Sequence, residues 1–550
     1  MADKSEVVQR DKESLRFFHV ICYRDPIARK QGLDLLKSSF DALIDRYGSP
    51  REVGISSNNI SNGFDAKRQI IEHLPGLLRL SIQCPFKDVR ETCKSILADI
   101  KERKGIKLPR KIGGGPSHFI AENDVVPVDT EDEQTKLLFM EAFIQNNRVP
   151  NIIQLMSYHP DYLDCFLKTQ HYLLHEDGPL PFDYRHYISI MACGRHQCSY
   201  LIKLQAQEFL LHGGNPEWLK GIDYVPQKLQ DFLEINKILA HRPWLITKEH
   251  IEKLIAGKNR WSLSELTHAL ILCTHFHALS TFVFGCGLND EIDFQNGHTF
   301  SSNHVDNDDS YSSDSSSLSD SANNSDEEGG LSALMARMKE LTERKEEELT
   351  IEERLKDFAK VESQSAEITT SQKIPSPRAD ILRYVEDPNF TYKDFAKRDS
   401  VTEIPSFRAQ DYSWEEHGFS LANRLYNEIG TLLDDKFNMA YNLTYYTMGN
   451  NTQVDTSSFR KAIWSYIHCM YGIRHDDYNY GEVNQLLERN LKAYIKTVTC
   501  YPERLTKKDY DGVMKEFKHS EKVHVNLMLL EARMQAELLY ALRAVMKYMT

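Results

Sequence analysis

A run of hydroxyls beside one arginine is the stretch of this chain best equipped for chemistry. Thr444, Tyr445, Tyr446 and Thr447 are followed by a turn signal, Met448 to Thr452, and then by the start of a helix. Thr456 or Ser457 stands at the N-cap position, and Phe459, Ile463, Ile467 and Met470 follow at helical spacing. Arg460 falls in the first turn of that helix, where a cation opposes the macrodipole. A charge placed against local preference needs a partner, and a carboxylate suits a planar guanidinium fork. Hydroxyls on a loop beside an arginine can bind and cover a small carboxylate-bearing molecule. The plainer alternative makes the threonines turn formers and pairs Arg460 with a surface Asp or Glu.

Two other stretches carry reactive side chains. In Arg195-His196-Gln197-Cys198-Ser199-Tyr200, a nearby arginine and histidine are the kind of groups that lower a thiol pKa and make it nucleophilic. Without a second cysteine at CxxC spacing, a buried structural cysteine is the competing reading. Cys273, His275 and His277 have the residue types of a metal site, but histidines two positions apart face different sides of a helix. Core or capping histidines are therefore expected there, and no metal.

The elements that position these residues read as helices throughout, so the expected fold is all-α. At 550 residues the chain is too long for one ordinary core. Leu33, Leu36, Phe40 and Leu43 form one helical stripe ending at Gly48, within a helical extension placed at 1–110. A Gly- and Pro-rich basic joint follows, ADIKERKGIKLPRKIGGGPSH. The next domain is placed at 120–293, with one long apolar helix from about Asp183 to His212 and another from Leu263 to Phe284. A linker at 294–382 contains a disordered acidic segment and an exposed amphipathic helix from Met335 to Lys360. The last domain, 383–550, ends in a helix from Glu521 to Met549.

The net charge of −13 is local in origin: eight of the acidic residues, and no Lys or Arg, fall between Ser301 and Gly330. The remainder is only mildly acidic, which argues against general nucleic-acid binding. Ser325, followed by Asp-Glu-Glu, has the form of an acidic-directed kinase site. No apolar leader and no run of 18 apolar residues is apparent, and the 10 cysteines are scattered. Reduced thiols in cytoplasm or nucleus, and no membrane span, are the expectation.

Several long stretches together resemble the sestrin family: GPLPFDYRHYISIMACGRHQCSYL, LAHRPWLITKEHI, FVFGCG, FNMAYNLTYYTM, YIHCMYGIRHDDYNYGEVNQLLERNL and HSEKVHVNLMLLEARMQ. The resemblance runs from about residue 125 to 550 outside the acidic segment, and the first hundred residues resemble the extension of longer sestrins. It implies two similar alkylhydroperoxidase-like helical halves joined by a helical linker, in a stress-responsive protein. The family's hydroperoxide-reducing cysteine and tyrosine match Cys198 and Tyr200, but its relay histidine is Gln205 here. Glutamine cannot shuttle a proton near neutral pH, so the resemblance implies at most a residual peroxidase.

The resemblance also implies a leucine sensor. Arg460 would clamp the amino acid's carboxylate and Glu521 its ammonium, under a hydroxyl lid of Thr444, Thr447 and Thr456, with Tyr445 and His524 completing the polar shell. At the apolar end Phe517 matches, while Phe459 stands where the family often has leucine and Met514 where it has tryptophan. One methylene in such a pocket is worth about 1–3 kcal/mol, enough to shift selectivity among leucine, isoleucine and methionine. Asp476 and Asp477 match the pair that contacts the second GATOR subcomplex, through which sestrins restrain TOR complex 1. No cofactor is implied. The ligand-independent scaffold is the third alternative.

Overall fold

The chain is all-α, built from helices with three pairs of two-residue strands among the described residues. The computed structural model describes residues 16–48, 58–300, 330–343, 350–368, 378–398 and 404–550. The acidic stretch over 301–329, Ser325 included, lies outside the described residues.

Helices α1 (Pro26–Gly48), α2 (Asn58–Gln83) and α3 (Lys87–Lys104) pack on one another. Leu33, Leu36, Phe40 and Leu43 are buried, as their spacing predicts. The joint that follows is pinned where β1 (Arg110–Lys111) pairs antiparallel with β2 (His298–Thr299). Arg79 of α2 reaches across to Asp293 at 3.1 Å and to the Asn147 carbonyl at 2.7 Å.

Next come α4 (Glu133–Asn146), α5 (Pro160–Leu174), α6 (Phe182–Arg195), α7 (Ser199–Leu211), α8 (Leu233–His241) and α9 (Leu263–Gly285). The single helix expected from Asp183 to His212 is in fact two, α6 and α7. The chain breaks at His196-Gln197-Cys198, where Gln197 adopts φ +53°. At this break the His196 ring is held by Arg533, 337 positions on, at 2.7 Å.

The longer helices that follow are α10 (Gly330–Glu343), α11 (Ile351–Glu367), α12 (Ile429–Asn442), α13 (Ser457–Met470), α14 (Arg489–Cys500) and α15 (His519–Met549). The exposed helix expected over Met335–Lys360 is replaced by parts of α10 and α11. Leu331, Met338, Phe358 and Val361 are buried, because both helices lie against α13.

At the centre α9 packs along α15. Helix α9 is apolar all round and buried all round, which is the packing such a surface demands. Among the described residues it is the one helix long and apolar enough to cross a membrane, and its most apolar window is wholly inside the protein. Two buried polar sets cross this core. Lys436 of α12 meets Glu531 of α15 at 3.1 Å, and Arg533 meets Glu537 at 2.8 Å while Glu537 also binds His277 of α9 at 2.9 Å. Buried charges survive only when paired in this way, and removing one partner costs about 3–5 kcal/mol.

Candidate functional site

The hydroxyl run and Arg460 meet α15 in a partly open cleft. Thr444, Tyr445, Thr447, Thr456, Phe459, Arg460, Phe517, Glu521 and His524 all line it, joined by His159, Leu443, Met448, Val525 and Met528. Met514 does not line it. That residue sits in the left-handed turn before α15 at φ +49°, and its carbonyl accepts the Phe517 N–H at 3.0 Å.

The cover of the cleft is a hairpin, β4 (Thr447–Met448) paired antiparallel with β5 (Asn451–Thr452). Its turn requires Gly449, which sits at φ +61°, and a Cβ there would come within 2.6 Å of the Glu516 carbonyl oxygen. Glu521 holds the hairpin from below. Its carboxylate accepts the Gly449 N–H, the Thr447 hydroxyl at 3.3 Å and, from its own helix start, the Lys518 N–H at 2.9 Å. A carboxylate in the first turn of α15 is also where the helix dipole favours one.

Arg460 has no ion pair among the described residues, so the surface Asp or Glu considered from sequence is not its partner. Nε donates to the Thr456 hydroxyl at 3.1 Å and Nη1 to the Tyr441 carbonyl, while Nη2 has no partner among the described residues. Thr456 therefore occupies the N-cap position without capping. The carboxylate of Asp455 takes the Ser457 N–H instead, at 2.9 Å. Burial lowers the Arg460 pKa, although a guanidinium remains charged at any ordinary pH.

The histidines of the cleft are neutral near pH 7. Burial pushes His524 down to about 3 and His159 to about 4. His524 Nε2 lies 2.9 Å from the Ala440 carbonyl, so it donates there. His159, from the turn before α5, bridges the Tyr445 hydroxyl at 3.0 Å and the Ser520 carbonyl at 2.7 Å. Burial raises the Tyr445 pKa, keeping the phenol protonated. Arg460 and Glu521 are thus the one cation and the one anion among the lining side chains. The walls left over are apolar: Leu443, Met448, Val525 and Met528, with Phe459 and Phe517 edge to face at 6.1 Å. Such a lining matches a small zwitterion with an apolar tail. Nothing local in the sequence ties His159 to a hydroxyl 286 positions away.

The acidic pair lies apart from the cleft. Asp476 is committed within the chain, to Arg474 at 2.7 Å and Arg408 at 2.9 Å. These arginines sit on β6 (Ile473–Arg474) and β3 (Phe407–Arg408), which pair in parallel. Asp477 is exposed, with one 3.3 Å bond from Gln410.

The thiol environment is the opposite of what the neighbouring basic residues suggest. Cys198 is buried and its pKa is pushed up to about 12 by that burial. Arg195 ends α6 and donates to the carbonyls of Glu386 and Phe390, while His196, pinned by Arg533, is driven well below its usual pKa by burial and that guanidinium. Neither stabilises a thiolate. Tyr200 donates to Glu291 at 2.7 Å, and Gln205 meets His186 at 2.9 Å, so the three side chains are engaged separately. Cys273 and His277 approach to 3.5 Å around Asn236 in the core, and His275 faces elsewhere, stacked near Phe166.

These features define an all-helical protein with a hairpin-covered cleft carrying one cation and one anion. The chain matches the family model described as PA26 p53-induced protein (sestrin) over residues 115–549. It is similar to Sestrin-3 of Mus musculus, 52% identical over 485 residues, covering 83% of this chain and 96% of that protein. Sestrin-1 of Xenopus laevis is 50% identical, covering 81% and 94% respectively, and Sestrin-2 of Homo sapiens is 51% identical, covering 79% and 91%. The chain belongs to the sestrin family.

Proposed function

We propose that the cleft binds free leucine or a similar apolar amino acid, and that occupancy controls binding of the second GATOR subcomplex, so that the chain restrains TOR complex 1 when amino acid is scarce. The observation that carries this reading is the presence of both Arg460 and Glu521 on the lining of one cleft with apolar walls. A free amino acid carries one carboxylate, one ammonium and a side chain, and Nη2 of Arg460 has donors to offer. Leucine recognition follows from family resemblance together with this lining.

The coupling is a linkage: ligand and partner compete through the conformation of the hairpin and α13, which runs from Arg460 toward Asp476 and Asp477. Exposed Asp477 is the better candidate for a direct partner contact. No observation favours the peroxidase reading, because Cys198 is buried and its thiol stays protonated.

The test is thermal stability of the purified chain against each of the twenty amino acids. A ligand binding only the folded state at a hundred times its Kd adds about 2.7 kcal/mol. Leucine or a close relative should give the largest shift, and Arg460→Ala and Glu521→Ala should each abolish it. Absence of any shift in the unmodified chain would leave the ligand-independent scaffold.

A further inference from the structure

Three histidines far apart in sequence converge where α5, α6 and α7 come together. His175 follows the last turn of α5, His186 lies in the second turn of α6, and His212 follows the last turn of α7. One ring nitrogen from each lies within 4.8 Å of the others. None of the three lines the cleft, and the family resemblance assigns a role to none of them, although His186 falls within one of its stretches.

The bonding around them has a direction. His186 is fully buried; its Nδ1 lies 2.9 Å from the Gln205 side-chain oxygen, and its Nε2 has no hydrogen-bond partner. An amide oxygen only accepts, so Gln205 holds the Nδ1–H tautomer and leaves the Nε2 lone pair bare. His212 repeats the pattern, with Nδ1 2.9 Å from the Glu208 carbonyl oxygen. An imidazole whose Nδ1–H is fixed by a carbonyl and whose Nε2 is free is the form that ligates metal ions. A buried, bare ring nitrogen is also costly to keep without a partner.

We propose that His175, His186 and His212 form a binding site for a divalent transition metal of the zinc class, with one nitrogen from each ring as ligand and a solvent position as the fourth. Zinc bonds to nitrogen at about 2.0–2.1 Å in a tetrahedron, which brings the ligand nitrogens to roughly 3.3 Å apart. The rings must close in to reach that geometry. His186 is the fixed point, while half-buried His175 and exposed His212, both just past helix ends, have room to do so. The Glu208 carboxylate, 3.8 Å from His212 Nδ1, offsets the added charge. Imidazole ligands favour zinc, copper or nickel over magnesium or calcium. Gln205, in place of the family's relay histidine, acts here as the residue that orients a ligand.

The test uses the full chain without a polyhistidine tag, stripped by chelator. It is titrated with Zn²⁺ against a chromophoric chelator and with Co²⁺ by visible absorption. One Zn²⁺ per chain is expected, with tetrahedral Co²⁺ bands and no thiolate-to-cobalt charge transfer. The ten cysteines make that last readout essential. His175→Ala and His212→Ala, chosen because neither position is buried, should each weaken binding by tenfold or more. Gln205→Leu keeps all three imidazoles and should weaken it by about tenfold. Unchanged affinity in the folded histidine variants, a thiolate band, or no competition with the chelator would overturn the proposal.

Discussion

The Gly449 backbone N–H donates to both carboxylate oxygens of Glu521, at 3.0 and 2.9 Å. One side chain thereby does two jobs: it completes the start of α15 and latches the hairpin that covers the cleft. An ammonium arriving at Glu521 must share a carboxylate already bonded to the hairpin. On the proposed reading, ligand occupancy would be linked to hairpin position through this one group.

Gly449→Ala tests the latch. The residue sits at φ +61°, and the added Cβ meets the Glu516 carbonyl at 2.6 Å, so the hairpin cannot keep its turn. A loss of more than about 1 kcal/mol in denaturant unfolding is expected, together with a weaker amino-acid response. Unchanged stability would mean that the hairpin adapts at no cost.

The buried histidines of the cleft make stability depend on pH. His159 is held near 4 in the folded chain, against about 6.5 when unfolded. Between those values the unfolded chain binds more protons, so stability is present above about pH 6.5 and is lost as pH falls toward 4. The loss from this group is up to about 3 kcal/mol. His159→Asn should flatten the slope of unfolding free energy between pH 7 and 5; an unaltered slope would assign it to other groups.

Cys198 should resist alkylation. With its side chain buried and its pKa pushed up to about 12, Cys198 should react with iodoacetamide at pH 7.5 after half-buried Cys165. Peptide mapping by mass spectrometry reads the order. Rapid Cys198 labelling in the folded chain would restore the peroxidase reading.

The two acidic neighbours should separate. Asp476→Ala removes the partner of Arg408 and Arg474, which costs up to about 1 kcal/mol and loosens the β3–β6 pairing. Asp477→Ala removes an exposed charge and should leave stability unchanged. If both lose the partner complex but only Asp476→Ala alters unfolding, Asp476 acts by holding the turn in shape and Asp477 by contact.

Much of the cleft was legible because its parts are local. Thr444, Tyr445, Thr447, Thr456 and Arg460 fall within seventeen residues, and a cation in a helix's first turn is conspicuous wherever it occurs. Met514 lies off the cleft lining, since position along the chain does not say which way a turn points. At Cys198 the sequence left an activated thiol and a buried structural cysteine open; Arg195 and His196 are each drawn to a distant partner, and the buried cysteine is what the fold contains.

Periodicity and residue type were sufficient for the all-α class and the buried face of α1, which are set by side chains within a few turns of one another, and the family was legible in its long matching stretches. The break before Cys198, the neutral histidines of the cleft and the convergence of His175, His186 and His212 arose only from packing. Burial and long-range hydrogen bonds decide which atoms leave water and which charges remain near them, and neither is written in the spacing of residues along the chain.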